Sequence, residues 1–97
     1  MSESHKEFGP VYSREVVNAL VDKDLDSLQS LASTIGGYAI SRVHDSYDKL
    51  AYIEILSDMD MPERELKHIY QLLGLTYPDE SPQTYSLEEI DKLFGYK

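Results

Sequence analysis

The sequence predicts a mainly α fold, a small single-domain bundle of about four to five helices. Three observations predict it. Apolar residues recur at helical spacing in several separate stretches, capping residues stand ahead of them, and glycines follow at 36–37, 74 and 95. Ninety-seven residues make one domain by size, here residues 10–97, behind a polar N-terminal tail, residues 1–9, that ends at Gly9-Pro10.

Ser13 is a good N-cap for a first helix over 14–22, whose Val16, Val17, Leu20 and Val21 share one arc. Phe8 and Tyr12 are expected to pack back onto the domain. Asp24 caps a second helix, over 25–35, with Leu25, Leu28, Leu31, Ala32 and Ile35 as its stripe and Asp26 in its first turn. Gly36-Gly37 then offers the left-handed residue that commonly ends a helix.

Residues 38–57 admit two readings. One helix places Ile40, Val43, Tyr47, Leu50 and Ala51 on a common face. It also puts Glu54 inside that face and leaves Ile53 and Leu56 outside it. The alternative is an α+β fold, with a hairpin at about 38–57 packed on the helices and a loop over 44–49. The helix is preferred. Pro62 suits the first position of the next helix, with Leu66, Ile69, Tyr70 and Leu73 buried and Gly74 at its end. A loop over 76–84 leads to the capping box Ser86…Glu89 and a short last helix through Ile90, Leu93 and Phe94, stopped by Gly95.

Eighteen Asp and Glu against nine Lys and Arg leave a net charge of −9. Such a field repels phosphate and anionic membranes and favours encounter with basic surfaces. Direct nucleic-acid binding is not expected, because phosphate contacts need clustered cations. Acidity as a solubility device is the plain alternative. The absence of cysteine removes disulfides, thiolate metal sites and a cysteine nucleophile. No signal-peptide pattern opens the chain, and no apolar run reaches the roughly 20 residues of a membrane span. A soluble protein of the cytoplasm is expected, with no membrane partner.

Chemistry-bearing motifs fail on inspection. Asp22-x-Asp24-x-Asp26 resembles the opening of a calcium loop, but Ser27 and Ser33 stand where glycine and a bidentate glutamate are required. His5, His44 and His68 have no metal-ligand spacing, and no serine lies on a nucleophile elbow. No metal or cofactor is expected, and no catalytic residue is assigned.

What remains is acid in rows. Glu54, Asp58, Asp60, Glu63 and Glu65 form the densest one, with Arg64 the only base among them. Asp22, Asp24 and Asp26 form a second row, and Asp45 and Asp48 a third. Asp79-Glu80 and Glu88, Glu89 and Asp91 are secondary. Glu63 and Glu65 also serve the dipole of the helix behind Pro62. Asp58, Asp60 and Glu54 have no such duty and are the sharpest candidates for a contact surface. Carboxylates one helical turn apart advance about 5.4 Å, comparable with the roughly 3.4 Å between phosphates on one strand.

Small size, acidity, absence of cysteine and absence of catalytic motifs together resemble the small phage-encoded inhibitors that mimic nucleic acid, of the anti-CRISPR and anti-restriction type. The resemblance lies in composition and matches no motif. It implies a non-enzymatic inhibitor acting in the host cytoplasm. Such an inhibitor would block the cationic DNA-binding site of a defence complex, a CRISPR surveillance complex rather than a restriction enzyme. The alternative is a regulatory or adaptor module, such as an immunity protein, antitoxin or transcription-factor antagonist. It would bind through an aromatic patch drawn from Tyr52, Tyr77, Tyr85 and Tyr96, with acids as its rim.

Overall fold

Residues 10–43, 48–80 and 82–95 are described by a computed structural model, and they form a mainly α domain. In chain order the elements are β1 (Val11–Ser13), α1 (Arg14–Val21), α2 (Leu25–Thr34), α3 (Gly37–Val43), α4 (Lys49–Leu56), α5 (Glu63–Leu72), β2 (Thr84–Ser86) and α6 (Leu87–Leu93). The expected tail, with Phe8, lies outside the described residues.

The expected caps are made. Ser13 Oγ accepts from Val16 N at 3.4 Å, and Asp24 Oδ1 from Ser27 N at 2.9 Å. Ser86 and Glu89 close a reciprocal capping box on α6. Gly74 (φ 75°) and Gly95 (φ 77°) follow α5 and α6 in the left-handed conformation that favours glycine. Pro62 stands one residue earlier than expected, at the cap of α5 itself. Leu93 departs from its expected stripe and is half exposed, while Ile90 alone of α6 is fully buried.

Gly36-Gly37 does not end α2 in the expected way. Neither glycine has positive φ, and Gly37 opens α3. The requirement at Gly36 is space. A β-carbon there would run into the carboxyl group of Glu65, well inside contact distance. That carboxylate accepts from Tyr38 N at 3.2 Å and so satisfies a free donor in the first turn of α3.

The described part of residues 38–57 is helical rather than a hairpin, in the two helices α3 and α4. α3 and α4 lie on either side of residues 44–47, outside the described set, and pack against one another. One straight helix cannot fold back in this way, which is why a single wheel misplaced Glu54, Ile53 and Leu56. Within α4 alone Leu50, Tyr52, Ile53 and Leu56 are buried, and Asp48 Oδ1 caps the helix through Leu50 N at 3.1 Å. The segment Lys-Leu-Ala-Tyr-Ile-Glu-Ile-Leu is apolar around most of its circumference, as a central helix must be. α4 touches α1, α2 and α3. Val16, Val17 and Leu20 of α1, Leu28 and Ala32 of α2, Ala39 and Val43 of α3, Leu66, Ile69 and Tyr70 of α5 and Ile90 of α6 join it in the core, with Tyr12, Ile35 and Met61.

The sheet was not anticipated. β1 pairs antiparallel with β2 in the register Val11↔Ser86, Tyr12↔Tyr85 and Ser13↔Thr84. On its other side β1 meets the α4–α5 junction. Ser13 N donates to Ser57 O at 2.9 Å and Met59 N to Val11 O at 3.1 Å, around an isolated bridge between Tyr12 and Asp58. Three segments distant in sequence are thereby sewn together.

Glu65→Gln is expected to cost about 1 kcal/mol, since it replaces a charged acceptor of a partly buried backbone donor with a neutral one. Gly36→Ala should cost a similar amount by displacing the same carboxyl group. In urea unfolding the double variant should lose clearly less than the sum of the two single losses. Strict additivity would break the link between them.

Candidate functional site

The densest acidic row of the sequence does not survive folding as a row. Asp58 is only 6% exposed and Glu65 only 8%. Asp58 accepts from Asp60 N at 2.9 Å and from the Tyr38 hydroxyl at 3.3 Å, and pairs with Arg42 Nη1 at 3.6 Å. Arg42 also donates to the Tyr38 hydroxyl and lies over that ring, 5.3 Å from its centroid. With Glu65 holding the backbone of the same tyrosine, these two carboxylates fasten α3 to the chain on either side of Pro62. Their assignment to an outward contact surface is corrected: both are turned inward and used by the fold. Asp60 and Glu63 remain exposed, and Glu63 pairs with Lys67 one turn along α5 at 3.3 Å.

Glu54 leaves the row for different company. It is half-buried, and its carboxyl is pushed above its usual range, first by burial and then by repulsion from Asp91 and Asp48. These three acids come from α4, α6 and the residue that caps α4. No ion pair reaches any of the three among the described residues. Asp91 was only a secondary candidate. Its neighbours lie on other elements, so no spacing within its own helix could have revealed them.

The second row joins this group. Asp22, Asp24 and Asp26 are exposed at the corner between α1 and α2. The Asp24 carboxyl is held below its usual range chiefly by hydrogen bonds from Ser27, with a smaller contribution from Lys49. Lys49 directly follows Asp48, so the α1–α2 corner lies beside the start of α4. Asp22, Asp24 and Asp26, with Lys23 between the first two, therefore lie toward the start of α4, where Lys49 stands beside Asp48, and Asp48 in turn acts on Glu54 together with Asp91. Asp45 lies outside the described residues.

Tyrosines expected at a binding patch are engaged internally. Tyr52 is buried in the core. Tyr77 packs edge-on against Tyr70, with centroids 5.1 Å apart, and Lys67 lies over it at 5.4 Å. Tyr85 donates to Asn18 Oδ1 at 3.0 Å beneath the guanidinium of Arg14, 4.4 Å from its ring. Tyr96 lies outside the described residues. Tyr12 is as buried as Tyr52, and burial, reinforced by Glu54 and Asp58, pushes its hydroxyl up to about 12.

Among the described residues no group of three His, Cys, Asp or Glu is placed to hold a metal ion, and no helix is long and apolar enough to cross a membrane. His68 is half-buried on α5, and His5 and His44 lie outside the described residues. Fold and site together define a small, mainly α domain that carries acids on several elements, of which Asp48, Glu54 and Asp91 have no ion pair among the described residues. No protein-family model, curated protein or solved structure matches the chain.

Glu54 destabilises the fold in its ionised form. Its carboxyl is raised in the folded state, so its contribution is fully favourable below the ordinary carboxylate range and is lost as pH rises through the raised value. Glu54→Gln is therefore expected to stabilise the protein at pH 7 by about 0.5 kcal/mol, the scale of a partly solvated like-charge repulsion. The gain should vanish at about pH 3, where Glu54 itself is protonated. Thermal melts at the two pH values check both statements.

Proposed function

We propose that the protein is a non-enzymatic inhibitor. Its acidic band occupies the cationic nucleic-acid-binding site of another protein, in competition with DNA. One observation carries the reading: Glu54 of α4 is repelled by Asp48, which caps the same helix, and by Asp91 of α6, with no ion pair at any of the three among the described residues, although the repulsion costs stability at Glu54. Acids kept only for solubility would be better dispersed, because like charges repel. A set of carboxylates held together against that repulsion suits a partner that supplies the missing positive charge.

The proposed place of action is the cytoplasm of a host cell. Among cationic DNA sites, that of a CRISPR surveillance complex is preferred to that of a restriction enzyme, by the likeness in size, acidity and composition already described. The mechanism is competitive. Lysines and arginines that grip phosphates would meet carboxylates instead, and the affinity would fall with salt as exposed pairs are screened.

A regulatory or adaptor module retains one supporting observation. Val11 is 37% exposed, and Leu87, at 36%, follows its ladder partner Ser86. Both exposed apolar residues thus lie at the Val11–Ser86 end of the ladder.

The test uses a fourfold variant, Asp24→Asn, Asp48→Asn, Glu54→Gln and Asp91→Asn. Asparagine caps helices about as well as aspartate, so α2 and α4 keep their starts. The target is captured from host lysate on the immobilised protein, released with competitor DNA and identified by mass. Each exposed pair is worth roughly 0.2–1 kcal/mol, so the variant should bind that target at least about fourfold more weakly and with a shallower salt dependence. Equal affinity at equal salt would overturn the reading. Dominant losses from Val11→Ser and Leu87→Ser would favour the adaptor.

A further inference from the structure

Helix α5 breaks at one residue the charge rule that its neighbours keep. The first turn of a helix favours acid, because its free N–H groups and the helix dipole are positive there. Glu63 and Glu65 comply, and Arg64 between them does not. Lys67 and His68 follow three and four residues later on the same side of the helix, so the guanidinium has a second cation and an imidazole beside it. Arg64 makes no ion pair or hydrogen bond among the described residues, although acids outnumber bases two to one in the chain. Folds break such local rules mainly at functional sites.

These side chains border a cavity. Gly36, Arg64, Glu65, Lys67, His68 and Gln71 line a groove of about 460 Å³ between α5 and the joint of α2 and α3. Residues 64, 67, 68 and 71 share one face of α5, and each brings N–H donors: a guanidinium, an ammonium, an imidazole and an amide. Arg64, Lys67 and Gln71 are exposed, and His68 is half-buried. The carboxylate in the lining, that of Glu65, is turned to another task, since it is only 8% exposed and accepts from Tyr38 N at 3.2 Å. Lys67 meets Glu63 at 3.3 Å in an exposed pair and lies 5.4 Å from the centroid of Tyr77. An ammonium group has three donors, so these contacts leave Lys67 able to serve the groove.

We propose that this groove binds a phosphate group, free or carried as the monoester of a small organic molecule. The planar fork of Arg64 suits two phosphate oxygens at once, and His68 and Lys67 supply donors for the rest. A carboxylate would satisfy one fork and leave the other donors unmatched. The volume is that of a small-molecule site, roughly 300–1,000 Å³, which leaves room for an organic body beside the phosphate and within reach of the Gln71 amide. A net charge of −9 opposes a long polyanion such as nucleic acid. A single phosphate is a different case: charges beyond about 8 Å are largely screened at physiological ionic strength, whereas hydrogen bonds at contact persist. The proposal involves none of the acids of the inhibitor reading and stands apart from it.

The experiment titrates the full chain, labelled with nitrogen-15, with glycerol 3-phosphate, inorganic phosphate, acetate and glycerol at one fixed ionic strength. Glycerol 3-phosphate is expected to shift the amide resonances of Gly36, Arg64, Lys67 and His68 saturably, and acetate and glycerol to leave them in place. Tighter binding of the ester than of inorganic phosphate assigns the site to an organic phosphate, and equal binding assigns it to the free ion; both uphold it. Arg64→Gln removes an uncompensated cation from a helix start, so the variant should fold with unchanged or greater stability. It should nevertheless bind phosphate about tenfold more weakly, the factor expected of one hydrogen bond to a charged group. Lys92→Gln removes the same charge from α6, outside the lining of the groove, and should leave binding unchanged. Equal shifts with acetate, an equal loss from Lys92→Gln, or unchanged binding by a folded Arg64→Gln variant would overturn the inference.

The fourfold variant leaves every residue of the groove in place, so it should bind glycerol 3-phosphate at least as well as the parent chain. Loss of the captured target with phosphate binding intact would sustain both proposals. An indifferent target with phosphate binding intact would remove the inhibitor reading alone.

Discussion

The arrangement depends on one residue more than on any other, Ser13. Its backbone N–H donates to Ser57 O at the end of α4, and its side chain caps α1 through Val16 N. The same Oγ is bonded to the hydroxyl of Tyr70 on α5, and its ladder partner is Thr84 on β2. One small, fully buried polar side chain thus fixes the start of the first helix relative to two others and to the last strand. A buried polar group is tolerable only when every bond it needs is made. Here the need is satisfied by segments from across the chain, so the hydrogen bonds that remove a penalty also specify the tertiary arrangement.

Much of this was legible in the sequence. Ser13, Asp24 and Ser86 act as caps because their short side chains reach the next free N–H, a purely local matter. The stripes of α1, α2 and α5 follow from helical spacing alone. The sheet was not legible, because three-residue strands carry no useful period and Val-Tyr-Ser acquires a partner only when Thr-Tyr-Ser is brought beside it. α3 and α4 were half legible: their composition allowed helix, but the change of direction between them leaves no mark on a wheel drawn through both.

The candidate site was less legible than the fold, for a physical reason. A carboxylate reads the same in a sequence whether it faces water or a backbone donor. Asp58 and Glu65 are spoken for by Tyr38, which is 20 and 27 residues away respectively. Glu54 and Asp91 are drawn together by the packing of separate helices. Folding therefore sorts the acids into two kinds. Some are neutralised or hydrogen-bonded and hold elements in place, as at Asp58 and Glu65. Others are left to repel one another, as at Asp48, Glu54 and Asp91. Net charge gives only their sum, whereas the sorting determines which acids a partner can reach.

The clamp around β1 also bears on how the chain assembles. The bond from Arg14 Nε to Thr84 O spans 70 residues, and the ladder beside it joins the same two regions. Contacts among α2, α3 and α4 close much shorter loops and carry a smaller entropic cost of closure. The helical centre is thus accessible by local search, and the strand pairing is the long-range step that completes it. Asp91 rides on α6, directly behind β2. The acids of α4 therefore gain their neighbour only when the last long loop closes, so the acidic band is complete only in the fully folded chain.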